Sequence, residues 1–340
     1  MYYGNSDLRV EEMPRPKIGP GEALLRVSAC GICGSDVMEW YRRDRVPLVL
    51  GHEIAAVAEE LGPGVEGIEV GDRVCASHHV PCNGCHYCRN GYHTVCDTLR
   101  RTNFYPGGFA EYVRLPALNV RQGTYPLPDC VCDEAATFIE PLGCVLRAQR
   151  VADIRPGDTV LVIGSGVSGI LHIQAARLRG AAFIAAVDIS PWRLDKAKQL
   201  GADLAVEAKR YSPQVLAEVN SGRLADKVIL CAGAPAAIQQ AFASVERAGT
   251  VLFFAPAPEA AQISLPVNEL FWRRETKLVS SYAASPQDHI DALALIKSGR
   301  PDIEKMITHR LPLTDIALGF KLVAYAGESL KVVIRMRDSG

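Results

Sequence analysis

The chain has 340 residues, with 37 Lys and Arg against 38 Asp and Glu, a net charge of -1 and 48% hydrophobic residues. That length suits about two domains of ~150 residues, each able to bury a core, and the balanced charge argues against a surface built for nucleic-acid phosphates. No apolar run approaches the ~18 residues that a membrane span needs, and 11 cysteines, an odd number, with no secretory leader over residues 1–10, point to a reducing, cytoplasmic setting.

In chain order, the first 150 residues read as short β-rich runs, EALLRVSAC (22–30) and EIAAVAEELG (53–62), punctuated by PKIGPGE, LGPGVEG and VGDRV. This is the texture of a small, turn-rich, mainly β domain. Within it stand CGICGSD and GHE, which carry Cys33, His52 and Glu53, and then CNGCHYCRNGYHTVC. In that run Cys82, Cys85, Cys88 and Cys96 follow a C-x2-C-x2-C-x7-C frame. Four thiolates so spaced suit one tetrahedral zinc ion. The spacing patterns of iron–sulfur proteins fit less well, and thiolate–metal bonding is favoured over cystine in a reducing compartment. A fifteen-residue metal loop in a chain this long is a fitting on a larger machine. Further on, Glu140 in FIEPLGC is a carboxylate among apolar residues, costly to bury without a partner.

From IRPGDTV (154–160) the pattern becomes regular. TVLVIG (159–164), FIAAVDIS (183–190), DLAVEA (203–208), ADKVILCAG (225–233) and TVLFFAPA (250–257) are expected strands. They alternate with expected helices at 167–181, 191–202, 212–222 and 235–249. Nearly all-apolar strands alternating with helices predict a parallel sheet covered on both faces. VLVIGSGVSG places Gly164, Gly166 and Gly169 on a G-x-G-x-x-G frame between the first strand and its helix. The backbone of this turn, with Val167 and Ser168, is expected to approach a pyrophosphate at the helix N-terminus. Asp188 closes the second strand, where it would bond ribose hydroxyls and repel a 2′-phosphate, so NAD is expected over NADP; Arg193, a few residues on, would either stack on or near the adenine or be a solvated helix residue. The segments HIDALALIKSG, DIALGFKLVAYAG and LKVVIRM return to mixed helix and strand and are expected to complete the first domain.

Residues of this kind in this order resemble the zinc-dependent medium-chain dehydrogenase/reductase family, in its sorbitol and threonine dehydrogenase-like branch. The resemblance spans essentially the whole chain through GICGSD (31–36), VLGHE (49–53), VGDRV (70–74), the four-cysteine run, EPLGC (140–144) and the glycine fingerprint. It implies an α/β protein: a GroES-like mainly β catalytic domain over 1–149, a Rossmann-type doubly wound parallel sheet over 150–285, and a segment 286–340 returning to the catalytic domain. It also implies a catalytic zinc held by Cys33 and His52, with Glu53 and Glu140 as acids coordinating directly or through water, and Asp36 orienting His52. The zinc of Cys82, Cys85, Cys88 and Cys96 would be purely structural, in a lobe over about 80–100. Cys30, Cys75, Cys130, Cys132, Cys144 and Cys231 fall outside both patterns and read as ordinary thiols.

The reaction so implied is NAD-linked oxidation of a secondary alcohol on a small polar substrate, a polyol, sugar, cyclitol or hydroxy amino acid. Zinc would act as Lewis acid on the hydroxyl, and Ser35 would take its proton. A homodimer or homotetramer is expected. Rival readings are a zinc-free quinone or enoyl reductase of the same superfamily, which would need neither the cysteine run nor GHE, and a noncatalytic nucleotide-binding scaffold. Two departures stand out. Met38 occupies the place where the family's proton relay often has a histidine, and Ser281–Tyr282 stands where polyol dehydrogenases tend to have Arg-Tyr.

Overall fold

A computed structural model describes residues 1–336 and divides the chain into two compact units, Met1–Gly143 with Ala283–Gly340, and Cys144–Tyr282. The division falls inside the helix Ile139–Val151, ahead of the change in texture near residue 150. Among the described residues no helix is long and apolar enough to cross a membrane.

The first unit is built on a seven-stranded sheet. Its order runs Ile307–Pro312, Lys331–Arg335, Ala23–Gly31, Glu53–Leu61, Arg73–Ala76 and Thr124–Pro126, with Tyr112–Leu115 also pairing to Ala23–Gly31. The C-terminal segment therefore supplies two strands to a sheet begun at Ala23. Register matters here: Gly31 lies opposite Glu53 on one side and opposite Val333 on the other. Leu25, Val27, Ile54, Ala56, Val74, Phe104, Phe109, Phe320, Val332 and Ile334 form one buried cluster around this sheet. The strands are held in register because a slip of one residue would turn that apolar set to water.

The second unit has a six-stranded sheet, parallel throughout. Its order is Leu204–Glu207, Phe183–Asp188, Thr159–Ile163, Ala225–Leu230, Val245–Phe253 and Lys277–Ser280. Counted along the chain this is 3-2-1-4-5-6, the doubly wound order whose reversal beside the first strand makes a dinucleotide crevice. The fourth helix is shorter than its pattern predicts. It ends at Ser244, and Val245 already pairs with Ala225 in the sheet. A register shift then carries the strand on to Thr250 opposite Lys227. Sheet pairing of β-branched Val245 has overridden the helical periodicity of VERAG.

Candidate metal centres and nucleotide-binding turn

The cysteine run curls through two short helices, His86–Arg89 and Asp97–Arg101. It brings the sulfurs of Cys82, Cys85, Cys88 and Cys96 within 4.8 Å of one another. Cys85 Sγ lies 3.5 Å from Cys88 Sγ, and Cys96 Sγ 3.6 Å from Cys82 Sγ. Tetrahedral thiolates about 2.3 Å from zinc are separated by about 3.8 Å, so the set fits that ion. The backbone N–H of Cys85 points at Cys82 Sγ (3.3 Å), and that of Cys82 at Cys96 Sγ (3.5 Å). Such donors favour thiolate. The Cys82 thiol is held below its usual range by the N–H groups of Gly84 and Cys85. For Cys96, burial pushes the thiol up, but the N–H groups of Cys82 and Leu99 outweigh it and bring it to about 6. Leu99, fully buried, packs beneath Cys88 and Cys96.

A second set is assembled from separate strands. Cys33 caps the 3-10 turn Gly34–Val37: its N–H donates to Asp36 Oδ2 (3.0 Å) and its Sγ accepts from Ser35 N (3.4 Å). His52 and Glu53 arrive at the start of the strand Glu53–Leu61. One donor atom from each of Cys33, His52 and Glu53 lies within 4.8 Å of the other two. Thiolate, imidazole and carboxylate are zinc donors, and three of them leave a fourth position for water or substrate. Asp36 is fully buried, with Oδ1 3.5 Å from His52 Nδ1. That contact turns Nδ1 to the carboxylate and leaves Nε2 for a metal. Burial opposes the Asp36 charge, but His52, Arg42 and the Cys33 N–H together hold its carboxyl below the ordinary range.

Glu53 has a partner that sequence reasoning missed. Lys331 Nζ bonds Glu53 Oε2, and both side chains are 1% exposed. The ammonium also stands 5.4 Å from the Phe138 ring. A Cβ on Gly31 would run into Glu53 Oε2 and reach 2.7 Å from Lys331 Nζ, so glycine is required where this pair crosses the sheet. The available signal was a single lysine in the otherwise apolar strand LKVVI.

Glu140 is a separate case. It is buried in the first turn of Ile139–Val151 and is not one of the three converging donors. It neighbours Cys75, whose thiol is pushed up by burial and further by the Glu140 charge. Ser35 Oγ donates to Cys33 Sγ (3.4 Å) and accepts from Arg42 Nη2 (3.4 Å). Two further histidines are drawn in: the His78 ring lies 4.7 Å from His52 and 3.8 Å from His79. His79 Nδ1 is 3.1 Å from the Thr102 carbonyl, which fixes Nδ1 as the donor and leaves Nε2 an acceptor. Its imidazole is pushed down to about 4, above all by burial, with the charges of His52 and Arg42 adding.

In the second unit the glycine fingerprint turns out of the buried strand Thr159–Ile163 into the helix Val167–Leu178, with Gly166 at the N-cap. Gly164 has φ +99, and a Cβ on Gly169 would strike the Gly164 carbonyl oxygen. The Arg193 guanidinium lies over this turn, 3.7 Å from where a Cβ on Gly166 would stand. Asp188 Oδ2 accepts from Ser165 N (2.6 Å) and Oδ1 from Ser190 N (2.8 Å). The carboxylate is thereby fixed beside the turn, and each oxygen keeps a further lone pair for a ribose hydroxyl. Bare backbone at a helix N-terminus with an oriented acid next to it fits a dinucleotide.

Residues 19–129 match the alcohol dehydrogenase GroES-like domain family, and residues 168–298 the zinc-binding dehydrogenase family. The chain is 32% identical to a sorbitol dehydrogenase of Gallus gallus, over 97% of this chain and 93% of that one. It is 33% identical to an L-threonine 3-dehydrogenase of Pyrococcus abyssi, over 96% and 94%. Among solved structures it is similar to a putative zinc-binding dehydrogenase from Sinorhizobium meliloti 1021 bound to NADP. The TM-score is 0.86 at 27% identity, covering 98% of this chain and 97% of that one. With both donor sets and the fingerprint intact, the chain belongs to the zinc-dependent medium-chain dehydrogenase/reductase family, in its sorbitol and threonine dehydrogenase-like branch, and is an oxidoreductase acting on CH–OH with zinc and a nicotinamide dinucleotide as cofactors.

Proposed function

We propose that the protein oxidises a secondary alcohol on a small polar substrate to the ketone, using NAD. The observation that carries this is the convergence of Cys33, His52 and Glu53 beside the hydroxyl of Ser35. Zinc, when bound there, supplies Lewis-acid polarisation of the substrate hydroxyl. Cys33 and His52 would hold the metal, and Asp36 would fix the His52 ring for that task. Glu53, bonded to Lys331, would offer its carboxylate to the metal, and Glu140 would act on it directly or through a water. Ser35 Oγ accepts the hydroxyl proton while passing its own on through a short hydrogen-bond relay that ends in water. A bound dinucleotide would supply the hydride acceptor and would be held by Gly164, Gly166, Val167, Ser168 and Gly169, by Asp188 at the ribose and by Arg193. The test is a screen of secondary alcohols with NAD on the zinc-loaded protein, following nicotinamide reduction. Turnover confined to zinc-loaded protein is expected, and turnover that survives removal of the metal would overturn the reading.

The two metal sites are expected to differ in lability. Four thiolates hold zinc more tightly than a mixed three-donor set, so a chelator should abolish activity before it unfolds the protein. Metal analysis giving about one zinc per fully loaded chain would contradict the two-site assignment.

A preference for NAD rests on Asp188. Its fixed carboxylate repels a 2′-phosphate, and its bonds to the ribose are worth roughly 1.5–3 kcal/mol for a charged acceptor. Asp188→Ala should weaken NAD binding and narrow its margin over NADP. Equal use of both by the parent enzyme would show that Asp188 does not read the ribose.

A homodimer or homotetramer is part of the same proposal. The strand Lys277–Ser280 is an open edge of the parallel sheet, and the segment before it exposes Trp272 (71%) and Val267 (59%). Open edges and exposed aromatics invite a self-complementary partner, and sedimentation of the purified protein reads the outcome. The same reading places the protein in the cytoplasm, where its thiols keep their reduced form.

A further inference from the structure

The helix Glu39–Arg42 starts directly after Met38 and turns Arg42 back onto the loop that carries Ser35. Arg42 Nε donates to the Ser35 carbonyl (3.3 Å) and Nη2 to Ser35 Oγ (3.4 Å). Nη2 also stands 3.6 Å from Asp36 Oδ1, with the Arg42 side chain 12% exposed and Asp36 fully buried. The charge of the guanidinium is therefore met by Asp36, and it lies over the Tyr41 ring, 4.6 Å from its centre. One side chain thus grips two neighbouring residues, the hydroxyl that takes the substrate's proton and the acid that orients His52.

A serine hydroxyl has one proton and two acceptor lone pairs, and it rotates unless partners fix it. Here the proton points at Cys33 Sγ (3.4 Å) and Arg42 fills one lone pair, so a single acceptor position remains for a substrate hydroxyl. The charge of Arg42 adds a second constraint. Ser35 Oγ must release its own proton as it takes the substrate's, and an oxygen carrying both would be a cation beside a cation. The guanidinium therefore ties the two transfers together. It carries no proton itself, because a guanidinium does not titrate in proteins, and the Met38 thioether has no proton to donate to the serine in its stead.

We propose that Arg42 is a positioning residue for the proton transfer and acts through Ser35. The inference rests on the dehydrogenase reading above and deepens it. A hydroxyl released to rotate presents its lone pair to the substrate for only part of the time, and a misplacement of about 1 Å costs up to ~10²-fold in rate. The fork of the guanidinium is what allows one side chain to hold the carbonyl and the hydroxyl of the same residue together. An ammonium on a flexible stem keeps the charge but not that fixed pair of donors.

The experiment is a double-variant cycle on single-turnover reduction of NAD by a secondary alcohol, with zinc content and NAD affinity measured on every sample. Arg42→Gln should slow hydride transfer by about 10- to 100-fold, with NAD affinity and zinc content close to those of the parent. Arg42→Lys should recover part of the rate. In a Ser35→Ala background the same Arg42→Gln change should cost less than about threefold, since the group it acts through is already gone. Losses that multiply in the double variant overturn the proposal, and so does a parental rate in Arg42→Gln. Loss of zinc from Arg42→Gln also overturns it, because the effect would then run through Asp36 and His52. Hydrogen exchange of the zinc-loaded protein gives a readout independent of turnover. The Met38 amide donates to the same Ser35 carbonyl that Arg42 takes. Amides 35–38 should therefore exchange about tenfold faster in Arg42→Gln, the loss of roughly one hydrogen bond. If no alcohol is oxidised by the parent, the dehydrogenase reading fails by itself. Faster exchange in Arg42→Gln then still supports the hold of Arg42 on Ser35, and unchanged exchange removes it.

Discussion

Replacing Lys331 with methionine is expected to destabilise the first unit by about 3–5 kcal/mol, the cost of leaving a buried charge without its partner. Lys331 and Glu53 are each 1% exposed, so water cannot substitute for the ammonium. The penalty should be largest in protein stripped of the catalytic metal, because a bound cation offers the Glu53 carboxylate a second counter-charge. Urea unfolding of parent and variant, each with and without that metal, measures both effects. A variant as stable as the parent in the metal-free form would mean that the pair is not held together in solution. Gly31→Ala should act at the same place: its Cβ would be driven between Glu53 and Lys331.

Replacing Ser35 with alanine is expected to slow hydride transfer by about 10²–10⁴-fold, the usual range for a positioned proton-transfer group. NAD affinity should hardly change, since the fingerprint turn belongs to the other unit. The side chain removed is small, and the backbone N–H of Ser35 keeps its contact with Cys33 Sγ, so zinc content should be unaffected. Single-turnover reduction of NAD with metal analysis on the same sample tests this. Parental rates in Ser35→Ala would take the hydroxyl out of the mechanism, and a loss of zinc would reassign it to the metal set.

How much of this was legible beforehand depended on how far apart in the chain the interacting residues lie. The parallel sheet could be read from apolar runs alternating with helices, because strand and helix periodicity are properties of neighbouring residues. The four-cysteine site could be read for the same reason: its donors fall within fifteen residues, and local turns bring them together. Cys33, His52 and Glu53 were recognisable as a set through the family resemblance, but their meeting depends on the Ala23–Gly31 and Glu53–Leu61 strands pairing in one register. Where a local pattern competed with sheet pairing, at Val245–Gly249, the pairing won.

By itself, then, the sequence determined the two sheets, the zinc-binding run, the nucleotide fingerprint and the family. Only the tertiary structure decided that Lys331 faces Glu53 across 278 residues of chain, that Cys33, His52 and Glu53 converge without Glu140 among them, and that Arg42 donates to Ser35. The physical reason is that a side chain's partner across a sheet is set by register, and register is chosen by burial of the whole apolar set rather than by any residue within it.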